Sequence, residues 1–110
     1  MLLNAQASGV YTIAATPFHP DGRLDVESID RMTDFYLQCG VTGMTILGIM
    51  GEAPKLEPDE SLTVVNRVVK RAGKVPVVVG VSAPGFAAMR ALSRASMDAG
   101  AAGVMIAPVP

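Results

Sequence analysis

The sequence predicts an α/β protein with a parallel sheet, its elements in the order β-α-β-α-β-α-β. Three observations carry that prediction. Four apolar, β-branched runs occupy residues 10–15, 44–47, 75–81 and 104–107, three amphipathic segments separate them, and a glycine (Gly40, Gly73 or Gly100) closes each segment. The runs are nearly uniform in hydrophobicity, as strands covered on both faces are, whereas a half-solvated sheet alternates.

The first run, Val10-Tyr11-Thr12-Ile13-Ala14-Ala15, passes into Thr16-Pro17-Phe18 and a turn, His19-Pro20-Asp21-Gly22, whose histidine is expected to be a solvated loop residue. In the helix that follows, Ile29, Met32, Tyr36 and Cys39 fall at helical spacing, Asp25 suits the N-cap and Gly40 the stop. Cys39 then reads as a small core residue, since no cation is spaced to lower its pKa. The second run leads through a glycine-bearing loop to Pro58, which suits a first helical position, with Asp59 and Glu60 complementing the dipole. Leu62, Val65, Val69 and Ala72 form the expected buried stripe there, and Arg67, Lys70 and Arg71 sit in the later turns, where cations are favoured. The third helix is expected over about residues 86–99, with Ala88, Leu92, Ala95 and Ala99 inward and Arg90, Arg94 and Asp98 outward. Ser82, after the third run, is expected to help start it.

An internal echo supports the unit. Cys39-Gly40-Val41-Thr42-Gly43-Met44 recurs sixty residues later as Ala99-Gly100-Ala101-Ala102-Gly103-Val104, a period of two βα units. A doubly wound open sheet and part of a (β/α)8 barrel both fit this order. In the second case the chain is a single partial domain over residues 1–110, because eight units take roughly 250 residues. Both outer strands are then unpaired edges, and the piece should be unstable or sticky until another segment completes it.

Composition narrows the function. With 110 residues, half of them apolar, the chain is one domain at most. Nine basic and ten acidic residues leave a formal charge of −1, and no basic cluster or aromatic series invites nucleic acid or an anionic membrane. One cysteine excludes an internal disulfide, and with the single His19 it makes no multi-ligand metal site, so neither metal nor cofactor is expected. A reducing compartment, no leader-like N-terminus and no long apolar span make the cytoplasm the expected location.

The chemistry-bearing segment is Gly48-Ile49-Met50-Gly51-Glu52-Ala53-Pro54, placed between the second run and the second helix. A strand that ends in Gly-x-x-Gly-Glu is where α/β enzymes hold small anions, because glycines let backbone N–H groups approach closely. Glu52 is expected to orient the loop by accepting N–H bonds rather than to act as acid or base. Thr16, at the end of the first run, either touches the site or caps its strand. No Gly-x-Gly-x-x-Gly follows the first run and no Gly-Lys-Ser/Thr follows any, which counts against a nucleotide-binding Rossmann reading.

With these pieces in order, the chain resembles the N-terminal part of the dihydrodipicolinate synthase and N-acetylneuraminate lyase family. The resemblance rests on Thr16-Pro17-Phe18, Asp21-Gly22, Gly40-Val41, Gly51-Glu52-Ala53 with Leu56, Val75-Pro76-Val77 with Gly80, and Ala99-Gly100. It implies the first half of a (β/α)8 barrel and a pyruvate-dependent class I aldolase or lyase that forms a Schiff base. The Schiff-base lysine and a proton-transferring tyrosine would lie beyond Pro110, so no catalytic residue is expected here and the 110 residues alone should be inactive. A 2-keto acid is the implied small-molecule partner, and a homo-oligomer, dimer or tetramer, the implied assembly.

The resemblance also assigns the substrate-binding set: Gly48, Ile49, Met50, Gly51 and Glu52, with Thr16. Members usually carry Thr-Thr or Ser-Thr between the two glycines, to bind the pyruvyl carboxylate and pass a proton. Ile49 and Met50 keep the N–H groups and lose both hydroxyls. After the fourth strand many members continue Pro-Tyr-Tyr, where this chain has Pro108-Val109-Pro110. The alternative is a non-catalytic binding or regulatory protein on the same scaffold.

Overall fold

The computed structural model describes residues 2–83 and 85–107. Its elements are β1 (Tyr11–Ile13), α1 (Val26–Gln38), β2 (Gly43–Ile46), α2 (Pro58–Ala72), β3 (Val77–Gly80), α3 (Phe86–Ala99) and β4 (Gly103–Met105), with a short 3-10 turn, Ala53–Lys55, before α2. The sheet order is β1-β2-β3-β4, every pair parallel. A doubly wound sheet reverses its strand order at a switch point. Here the order never reverses, α1 packs on α2 and α2 on α3 along one side, and the chain is a half-barrel.

β1, β3 and β4 are shorter than their apolar runs, and residues just outside the strands still bond to a neighbouring strand. Ala14 donates to Thr45 O at 2.9 Å, Val81 to Met105 O at 3.0 Å, and Ala102 to Val77 O at 2.8 Å. Side chains alternate across the sheet. One face sends Ala14, Met44, Ile46, Val77, Val79 and Val81 into the core against Ile29, Val64, Val65, Val68 and Ala72 of the helices. By register the other face presents Tyr11, Ile13, Thr45, Val78 and Met105. Gly43 leaves room there for the Tyr11 ring, which a Cβ would meet at 2.4 Å.

Each helix forms for a local reason. Asp25 caps α1, its carboxylate accepting from Ser28 N at 3.0 Å and Ser28 Oγ at 2.7 Å. A reciprocal capping box between Glu57 and Glu60 opens α2, with Pro58 at its start. Gly40, Gly73 and Gly100 follow the three helices at φ of 79°, 61° and 107°, the region that ends a helix at least cost for glycine.

The buried stripes differ from the expected ones. Cys39 is exposed at the end of α1. It lies ten residues beyond Ile29, ~80° off that stripe at 100° per residue, and Thr33 is buried in its stead because its hydroxyl bonds to Ile29 O at 2.8 Å. In α2 the buried set is Ser61, Val64, Val65, Val68 and Ala72, with Leu62 and Val69 only half-buried, since α1 and α3 flank this helix and widen its covered face. In α3, Leu92 and Ala99 pack on the core as expected, but Ala88 is exposed and Ser96 is the fully buried residue.

Candidate functional site

The C-terminal ends of the strands meet at one rim of the half-barrel, and the loop after β2 forms its centre. Leu47 leaves the strand buried and in the left-handed region, φ 57°. That conformation costs a non-glycine residue ~1–2 kcal/mol, and the neighbouring strand makes it possible. A Cβ on Gly80 would stand 2.3 Å from the Leu47 carbonyl oxygen, so only glycine on β3 lets the turning backbone close against it. Sequence reading used Gly80 only within the family pattern. A lone glycine inside an apolar strand is itself the signal of close backbone approach.

The loop then folds on itself. Gly51 N donates to Gly48 O at 3.1 Å and Glu52 N to Ile49 O at 3.0 Å. A Cβ on Gly51 would meet Leu47 N at 2.9 Å, so this second glycine is needed for tightness. Thr16, buried at the end of β1, donates its hydroxyl to Gly51 O at 2.6 Å. Thr16 thus pins the loop from the adjacent strand. The amides of Ile49 and Met50 make no hydrogen bond to another described residue. Two adjacent N–H donors are therefore unpaired among the described residues.

Glu52 departs from its expected role. It sits at φ 55°, and its carboxylate takes Lys55 Nζ at 2.6 Å rather than loop N–H groups. The left-handed backbone at Glu52 aims the side chain along the 3-10 turn, where the residue three further on reaches it. Ile49 is 91 % exposed and Met50 61 %, so neither side chain props the loop. Ile49, Glu52, Pro54 and Lys55 line an open cavity of about 360 Å³ beside it. Gly48 lies against the Met105 side chain of β4 at 3.7 Å, measured from an added Cβ.

The rest of the rim is structural. Ser82 accepts from Ala107 N at 2.7 Å, tying the end of β3 to the end of β4. It stands too far before Phe86 to cap α3, whose N-cap is Gly85. His19 sits in a small hairpin, its N–H bonded to Arg23 O at 2.7 Å and its Nδ1 3.8 Å from the Asp25 carboxylate. The Ser28 hydroxyl, then its N–H, holds the Asp25 carboxyl below its ordinary pKa. Among the described residues no cluster of three His, Cys, Asp or Glu could hold a metal, and no helix is long and apolar enough to cross a membrane. Pro108-Val109-Pro110, which the resemblance sets against Pro-Tyr-Tyr, lie outside the described residues. Sequence reasoning thus listed the loop and Thr16 together, and the structure brings them into contact.

Comparison with known proteins places this geometry. The Dihydrodipicolinate synthetase family matches residues 6–109. A 4-hydroxy-tetrahydrodipicolinate synthase of Sorangium cellulosum is 41% identical over 101 residues, 90% of this chain and 34% of the relative. A crystal structure of dihydrodipicolinate synthase from Rhodopseudomonas palustris superposes with a TM-score of 0.94 at 61% identity, covering 98% of this chain and 36% of that one. A prophage protein of the same family from Escherichia coli, solved in complex with pyruvate, superposes with a TM-score of 0.86 at 27% identity, over 93% of this chain and 35% of that one. The chain spans about a third of the length of the relatives it matches.

Proposed function

The chain belongs to the dihydrodipicolinate synthetase family, and on that premise we propose that it supplies the carboxylate-binding wall of a lyase that makes or breaks a carbon–carbon bond of a 2-keto acid through a Schiff base. The observation that carries this reading is the pinned loop after β2. Its Ile49 and Met50 amides stand unbonded to any described residue, at the strand ends where barrel enzymes assemble their sites. A pyruvyl carboxylate would accept from these two N–H groups, while Thr16 and Gly51 hold them in position. The pyruvate complex of the Escherichia coli family member supports that choice of ligand.

The loop orients substrate and moves no proton. Ile49 and Met50 carry no hydroxyl, and the Glu52 carboxylate is engaged by Lys55. Proton transfer and imine formation fall to a tyrosine and a lysine on later strands, so the 110 residues alone are inactive. The single partial domain is complete only with further barrel units, and the working assembly is a homo-oligomer.

Borohydride reduction in saturating pyruvate tests the reading on a polypeptide joining these residues to the rest of the barrel. The expected result is a single covalent pyruvate adduct, seen by mass on one lysine outside residues 1–110. Absence of any adduct, with pyruvate still bound, would establish the non-catalytic binder instead.

A further inference from the structure

We propose that Lys55 sets the charge beside the loop after β2, holding the Glu52 carboxylate in an ion pair so that the Ile49 and Met50 amides admit a carboxylate ligand. The inference rests on the carboxylate-binding reading above and adds a positioning residue to it. An acidic side chain is the wrong neighbour for an anion. Consecutive Cα atoms stand ~3.8 Å apart, so the Glu52 and Met50 backbones lie within ~8 Å of each other. Over that span a bare charge is screened only in part.

Local backbone bonds keep Glu52 in that place. Its N–H donates to Ile49 O at 3.0 Å, and its carbonyl accepts from Lys55 N at 2.9 Å. Leu56 N closes the next turn on Ala53 O at 3.1 Å, and Pro54 stiffens the segment between the two charged residues. The turn sets Lys55 Nζ 2.6 Å from Glu52 Oε1, and both side chains line the cavity that Ile49 also lines. The other lining residues, Ile49 and Pro54, are uncharged, so the pair sets the charge of that wall among the described residues.

Stability is a poor account of the pair. Lys55 is 70 % exposed and Glu52 42 %, and an ion pair so open to water adds little to folding. Its effect on a neighbouring anion is larger, because removing either partner uncovers the full charge of the other. Coulomb's law at ~8 Å, with a dielectric between those of water and a protein surface, makes that charge worth roughly three- to tenfold in binding.

Calorimetric titration with pyruvate, on a polypeptide joining these residues to the rest of the barrel, tests the inference through the sign of the change. Lys55→Met leaves Glu52 bare and should raise the Kd roughly three- to tenfold, whereas Glu52→Gln leaves Lys55 bare and should lower it by a similar factor. The Lys55→Met/Glu52→Gln double variant should fall between the two, and Lys55→Arg should recover the affinity. Methyl pyruvate has no carboxylate charge, so its binding should respond to neither single variant. Two single variants that shift the Kd the same way, no shift in either, or an equal shift with methyl pyruvate would each overturn the role of Lys55 while the carboxylate reading stood. An unaltered polypeptide that binds no pyruvate would overturn that reading and this inference with it.

Discussion

Single side chains set the geometry of the loop after β2, and two substitutions measure how much. In Thr16→Val the shape is kept, but the hydroxyl that bonds Gly51 O at 2.6 Å is lost. Leaving a buried carbonyl without that partner should cost about 1–2 kcal/mol, read as a lower urea midpoint with an unchanged slope. Gly80→Ala should cost more, about 2–3 kcal/mol, because its Cβ would lie 2.3 Å from the Leu47 carbonyl, a backbone atom with no rotamer to escape into. That loss exceeds the ~0.4–1 kcal/mol an alanine returns by stiffening the unfolded chain, and thermal unfolding of the variant checks the sign. Cys39 teaches the opposite lesson. Ten residues beyond Ile29 it falls ~80° off the buried stripe, and at the end of α1 it is exposed.

Between elements, α1 and α2 are joined by a core contact and by a charged ladder. Ile29 is fully buried under α2, and Ile29→Ala should destabilise by about 3 kcal/mol through lost burial and a residual cavity, measured by denaturant titration. Outside that core, Arg71 bonds Asp34 through two nitrogens at 2.7 and 2.8 Å, and Arg67 bonds Asp30 in the same bidentate way. Hydrogen bonds from Arg67 and Arg71 hold the carboxyls of Asp30 and Asp34 below their ordinary pKa. A carboxyl depressed in the folded state adds stability above its unfolded pKa and loses it as pH falls through the folded one. Thermal stability should therefore decline from about pH 5 downward. A paired Arg67→Gln/Arg71→Gln variant should start lower at neutral pH and show a shallower acid decline. Being exposed, the ladder should also weaken in high salt. The later-turn arginines of α2 were expected to serve its dipole, and their partners on α1 lie thirty-seven residues away in sequence, beyond any local pattern.

At the scale of the whole molecule, one parallel sheet carries helices along one side. On the proposed reading the loop offers two N–H donors to a carboxylate but no group to form an imine, and β1 and β4 each have one strand neighbour among the described residues. Both features are what a segment spanning a third of its relatives' length should show. The order of elements, the Asp25 cap, the proline at the start of α2, the three glycine stops and the position of the loop were legible because each depends on residues within a few positions of one another. The pairing of Thr16 with Gly51, thirty-five residues apart, was not.

By itself the sequence determined the alternation of strand and helix, through uniform apolar runs, capping residues and closing glycines, and it marked a Gly-x-x-Gly-Glu loop whose two central residues lack hydroxyls. Only the tertiary structure decided that the sheet winds in one direction, that Glu52 turns to Lys55, that Ser82 ties two strands together, and that Leu47 turns left-handed under the space left by Gly80. Local propensity acts over a few residues and can be read along the chain. Packing on a neighbouring strand, the close approach of two backbones and the choice of ion partners depend on atoms brought together by folding.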